Sequence, residues 1–157
     1  MPTYSPTATS GAHAWFAGGT AANEVDGVTT ISDGKFILTD APSSGIDFTM
    51  PNIPVSSSLT MRASAWHAEA DAITIELRQS GVTISTLTIE TDVEGLATNV
   101  LTAGQLASLT VTGGNYQNLT MRATSGAAAG ATRESHVGYL AMEAVLAGGK
   151  NLPVLGA

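Results

Sequence analysis

Apolar residues recur at every second position over most of this chain, and a 3.6-residue repeat is hard to find. That alternation suits a pleated surface buried on one face, and it excludes a helical bundle. In 58–65, Leu59, Met61, Ala63 and Ala65 share one face, while Thr60, Arg62 and Ser64 share the other. In 72–79, Ile73, Ile75 and Leu77 point one way and Thr74, Glu76 and Arg78 the other. Gln79-Ser80-Gly81 then turns the chain into a strand over 82–90, which predicts a β-hairpin. Further strands are predicted over 106–112, 118–125 and 136–146, divided by Gly113-Gly114-Asn115 and by the glycine-rich stretch 126–130. Shorter ones fall at 35–39 and 46–50, with Pro42-Ser43-Ser44-Gly45 between them and Pro51 and Pro54 beyond. One helical turn is expected over 101–106, capped by Thr102. About eight strands at this spacing predict an all-β fold, an antiparallel jelly-roll-like β-sandwich with extended N- and C-terminal arms. The 157 residues suffice for one core, placed in residues 23–147.

The pentad Leu59-Thr60-Met61-Arg62-Ala63 recurs as Leu119-Thr120-Met121-Arg122-Ala123, although the flanks do not match. Both copies read as central strands in similar environments, with an inward Leu/Met row and an outward Thr/Arg row. Arg62 and Arg122 then meet carboxylates such as Glu76 across strands or hold a neighbouring subunit.

The ends differ from the middle. Residues 1–22 carry little charge but hold Tyr4, Trp15 and Phe16, and read as an arm. Residues 148–157 form a Gly148-Gly149 hinge followed by an apolar hook with Leu152, Val154 and Leu155. Apolar arms need a docking surface, on their own domain or on a neighbour. Met1 to Pro6 shows neither a basic nor an apolar leader, so the protein is expected to stay in the cytoplasm that makes it or to leave inside something larger.

Composition narrows the function classes. There is no cysteine, which removes disulfides, thiolate metal sites and thiol catalysis. A net charge of −7 with only 6 Lys and Arg argues against a nucleic-acid partner. No stretch approaches 18 consecutive apolar residues, so no membrane-spanning helix is expected. Charged residues make up 12%, about half the usual share, which suits either an uncharged hydroxyl-rich surface or one buried in a permanent assembly.

The sequence predicts no catalytic residue, no cofactor and no metal centre. His13, His67 and His136 do not stand at ligand spacing. His67, Glu69 and Asp71 alternate in one acidic loop and Glu90, Asp92 and Glu94 in another, and such turns are ordinarily solvated. Ser135 and His136 are adjacent, so a strand points them to opposite faces and no dyad forms. No Gly-x-Ser-x-Gly elbow or phosphate-binding Gly-Lys-Ser/Thr loop is present. Asp26, Asp33, Asp40 and Asp47 fall in turn-rich sequence, where Asp is favoured.

Residues 22–27, 32–37 and 46–51, followed by 59–66, the 73–89 hairpin, 119–123 and a last strand over 137–145, resemble jelly-roll domains of tailed-bacteriophage virion structural proteins. The resemblance is one of pattern and spans about residues 20–146. It implies a non-enzymatic capsid decoration (cement) protein on the outside of the phage head, made in the host cytoplasm. Such a protein commonly forms a homotrimer and bridges major capsid protein subunits, and its partner-binding residues here would be Tyr4, Trp15, Phe16, Leu152, Val154 and Leu155. Jelly rolls also serve as carbohydrate-binding modules and as minor tail or head-fibre components. A sugar would stack on Trp66, Trp15, Tyr116 or Tyr139, and Trp66 has the outward parity of its strand.

Overall fold

The computed structural model describes residues 1–31, 33–67, 72–127 and 133–147. The tail residues Leu152, Val154 and Leu155 and the loop residues Glu69 and Asp71 lie outside the described residues. In chain order the strands are β1 (Thr3–Tyr4), β2 (Ala8–Ser10), β3 (Phe16–Gly19), β4 (Lys35–Thr39), β5 (Gly45–Thr49), β6 (Ile53–Pro54) and β7 (Ser56–His67). They continue as β8 (Ile73–Gln79), β9 (Val82–Ile89), β10 (Leu96–Val100), β11 (Val111–Thr112), β12 (Asn115–Tyr116), β13 (Leu119–Thr124) and β14 (Ser135–Leu146). One helix, α1 (Ala103–Ser108), and a 3-10 turn (Asp26–Val28) interrupt them.

Two antiparallel sheets pack as a jelly-roll sandwich. The first runs β10–β7–β14–β4–β3, with β1 beside the later half of β14. The second runs β2–β5–β13–β8–β9, and a small sheet β11–β12–β6 stands apart. The predicted parity places the core. Leu59, Met61, Ala63, Leu140, Met142 and Ile37 line the inner face of the first sheet, and Ile46, Phe48, Ile73, Ile75, Leu77 and Met121 that of the second, each at 0–1% exposure. Burying each of the larger side chains contributes about 1.5–3 kcal/mol.

Both pentad copies are central strands, one in each sheet, so their arginines leave through opposite outer faces. Arg62 Nη1 donates to Glu143 Oε2 at 2.7 Å on the first sheet. Arg122 Nη1 stands 3.7 Å from Asp47 Oδ2 on the second. The expected Glu76 partner is corrected here: Glu76 sits opposite Arg122 in register but accepts from Thr83 Oγ1 at 2.8 Å.

The β8–β9 hairpin turns through Ser80 and Gly81, both at positive φ (49° and 84°), as the two-residue turn requires. The expected Thr102 cap is present, reciprocal with Gln105, and α1 runs on through 106–108, where the alternation had predicted a strand. At one edge the two sheets are tied by Asn99, whose Nδ2 donates to Ser85 Oγ and to the Thr86 carbonyl.

Of the two docking surfaces open to residues 1–22, the structure shows their own domain: β1 and β3 join the first sheet and β2 the second. Trp15, expected as a partner contact, is 2% exposed and belongs to the core. Its Nε1–H donates to the Ser44 carbonyl at 3.0 Å. Tyr4 pairs opposite the inward Met142 and packs against the core half-buried. The arm docks on its own domain.

Candidate functional site

Register builds a single outward row from four strands distant in sequence. Phe16 of β3 pairs with Leu38 of β4, Leu38 with His136 of β14, and His136 with Trp66 of β7. Directly opposed residues share a face, and the intervening Ile37, Ala65 and Val137 are fully buried, so this row points away from the core. Phe36, two residues from Leu38, joins the same face. The Trp66 and His136 rings stack 3° from parallel with centroids 5.0 Å apart. Phe36 meets both edge-on, at 5.6 Å from Trp66 and 5.3 Å from His136. Phe16 ends the row on the sheet's edge strand with 49% of its surface exposed.

Two glycines shape the row. A side chain at Gly18 would overlap Phe36 and Leu38, so its absence leaves room for both over β3. Gly138 sits in the register shift between Val137 and Tyr139, a β-bulge. A β-carbon there would stand 3.1 Å from Trp66 and 3.3 Å from Glu94 Oε1. Glu94 comes from the loop before β10, and the same Oε1 lies 3.5 Å from Ser64 Oγ. The loop therefore brings a carboxylate beside the indole. Glu134 adds a second, its Oε2 3.2 Å from His136 Nε2.

Burial of His136 holds its imidazole below the ordinary histidine value, while Glu134 acts in the opposite direction. Its Nδ1 is buried without a hydrogen-bond partner among the described residues. A folded-state value below the unfolded 6.5 means that the unfolded chain takes up the proton first as pH falls. Stability from this site is therefore intact above about pH 6.5 and declines as pH drops below it. Denaturation midpoints measured across that window should fall less steeply for His136→Phe than for the parent chain. Equal slopes would rule out the histidine as the source.

A concavity without aromatic side chains lies elsewhere. It is an open groove of about 590 Å³ between β2 and the turn after β3, lined by Thr7, Thr9, Asn23, Glu24, Asp26 and Thr29. Much of its polar lining is already engaged. Asn23 Oδ1 accepts from the Asp26 amide, and Asp26 accepts from the Ala22 amide and from Lys35. Those bonds, the Ala22 amide foremost, hold the Asp26 carboxyl below its usual range. The groove has no aromatic side chain in its lining.

Of the sugar platforms expected from sequence, only Trp66 stands half-buried on an outer face. Tyr116 is corrected to a core residue at 3% exposure, its hydroxyl against the Ser56 backbone, and Trp15 is internal as described. Tyr139 faces outward beside Ser64 but is covered to 8% exposure. Ser135 and His136 do fall on opposite faces, with Ser135 Oγ buried and accepting from the Gly126 amide. Sequence reasoning missed Phe36, Leu38 and His136 as members of the row. The available signal was β4 itself, whose Phe36, Ile37 and Leu38 are apolar on both parities and so imply that both faces are used.

No protein-family model and no curated protein matches the sequence. Among solved structures, the fold is similar to a family 35 carbohydrate-binding module from Clostridium thermocellum, with a TM-score of 0.57 and 12% identity over 92% of this chain and 100% of that one. It is also similar to a CBM4 structure, with a TM-score of 0.51 and 16% identity over 83% of this chain and 94% of that one. The enzymatically active domain of tailspike protein 4 from bacteriophage CBA120 gives a TM-score of 0.54 at 10% identity, covering 90% of this chain and 19% of that one. At these identities the likeness is one of fold, and it identifies the chain as a jelly-roll β-sandwich.

Proposed function

We propose that this chain is a non-catalytic carbohydrate-binding module that takes a sugar against Trp66 on the outer face of the first sheet. The observation that carries the reading is the outward row of Phe16, Leu38, His136 and Trp66, with Glu94 and Glu134 beside it. Sugar rings need an apolar face to stack on and polar groups to take their hydroxyls, and a carboxylate can accept from two hydroxyls at once. The fold shared with the carbohydrate-binding module from Clostridium thermocellum is consistent with that use.

Of the contacts expected for capsid decoration, Trp15 is internal, and the fold is shared with carbohydrate-binding modules, so the sugar-binding reading is preferred. A sugar-binding module carried on a virion would attach the particle to a glycan-bearing surface, which accommodates the phage-like sequence pattern. Retardation in affinity gels containing soluble polysaccharides, followed by calorimetry on whatever binds, tests the proposal. Trp66→Ala should weaken binding at least about tenfold, or 1.4 kcal/mol. Arg122→Ala, on the opposite sheet, should leave it unchanged. A parent chain that no polysaccharide retards, or a Trp66→Ala variant that binds as the parent does, overturns the reading.

A further inference from the structure

Resting on the sugar-binding reading, we infer that the ligand is a neutral, unbranched glycan lying across the strands from Trp66 to Phe16. The direction follows from register. The row crosses four adjacent strands, so its ends are three strand spacings apart, about 14 Å, the length of roughly three sugar units. A chain that follows it meets Trp66, passes over Leu38 and leaves the sheet over Phe16 on the edge strand. At Gly18 there is no side chain to obstruct that path, and Phe36 and Leu38 occupy the space a side chain would take. A strip that runs out over an edge strand accepts a continuous chain, whereas a terminal sugar needs a closed end.

The charge follows from the polar groups that reach the row. Glu94 and Glu134 are acidic, and Lys35 and Arg62 are already held by carboxylates. Lys35 Nζ is 2.9 Å from Asp26 Oδ1, and Arg62 Nη1 is 2.7 Å from Glu143 Oε2. With a net charge of −7 on the whole chain, a uronate or a sulfate at the strip is disfavoured, and both glutamates repel it. Hydroxyls on a neutral chain can donate to the same two carboxylates.

The test has two stages. The full chain is first applied to a panel of linear neutral, branched neutral and acidic polysaccharides. Oligosaccharides of two to six units from the best binder are then titrated by calorimetry. Binding to linear neutral polymers is expected, with affinity rising roughly tenfold between two and four units and then levelling. Phe16→Ala should bring the longer oligomers down to the affinity of the disaccharide and leave the disaccharide unchanged. Phe16 is exposed, so this variant is expected to fold, and its thermal midpoint confirms it. Preference for acidic or branched polymers, affinity independent of length, or a Phe16→Ala variant equal to the parent on long oligomers overturns the inference while Trp66-dependent binding still stands. Failure of every glycan to bind overturns the underlying reading instead.

Discussion

Trp15→Ala is expected to lower the unfolding free energy by about 3–5 kcal/mol, while Phe16→Ala, one residue on, changes it by less than about 0.5 kcal/mol. The difference comes from the crossing between β2 in one sheet and β3 in the other. Trp15 enters the core at 2% exposure, and its indole N–H is satisfied by the Ser44 carbonyl. The crossing is fixed around it: Thr39 Oγ1 donates to the Ala14 carbonyl at 2.8 Å, and His13 Nδ1 sits 2.9 Å from the Trp15 carbonyl. Truncation leaves a large void and strands the Ser44 carbonyl, so the cavity cost adds to the lost transfer energy. Phe16 begins the strand with the opposite parity and faces solvent. Urea denaturation of the isolated chain measures both. A Trp15→Ala chain as stable as its parent would restore the view of residues 1–22 as an arm awaiting a partner.

The two adjacent aromatics also show where sequence stops being informative. Alternation carries parity within a strand, and it placed β4, β5, β7, β8, β9, β13 and β14 closely because each buries one face against a single core. The same rule oriented Trp66 and separated Ser135 from His136. It carries no strand order, and the candidate site is a matter of order. Residues 16, 38, 136 and 66 become neighbours only through three long-range pairings, and nothing local to any of them reports the others. The N-terminal strands were invisible for another reason. β1 and β2 span two and three residues, and Gly18 and Gly19 dilute the pattern of β3, so these segments are strands because distant partners pair with them. The helical turn capped by Thr102 was legible, and in 106–108, where alternation had predicted a strand, the capping box of Thr102 and Gln105 carries the helix on to Ser108.

Parity also identifies a polar residue in an apolar place, and its replacement should be nearly as costly as that of Trp15. Gln79 continues the inward series Ile73, Ile75 and Leu77 and is 8% exposed. Its Nε2 donates to the Thr110 and Gln117 carbonyls, each at 2.9 Å, and its Oε1 accepts from the Thr110 amide at 2.8 Å. One amide thus serves three backbone groups in the connection from α1 to β13, which has little regular pairing of its own. Gln79→Leu keeps the volume and leaves all three without a partner, at about 1–3 kcal/mol for each that stays dry. Thr110 is exposed, so water can recover part of this, and a net loss of about 2–4 kcal/mol is expected. Gln79→Glu offers a sharper check. Its carboxylate can still accept from Thr110, yet when ionised it faces two carbonyls that need a donor. Those carbonyls favour the protonated acid, so the folded-state pKa is raised. This variant should then be most stable at acidic pH and lose stability as pH rises through that value, opposite in sign to the His136 effect. Urea midpoints across pH, with hydrogen exchange at the Thr110 amide, read both effects. A Gln79→Leu chain within 0.5 kcal/mol of the parent would mean that water, and not the glutamine, satisfies this connection.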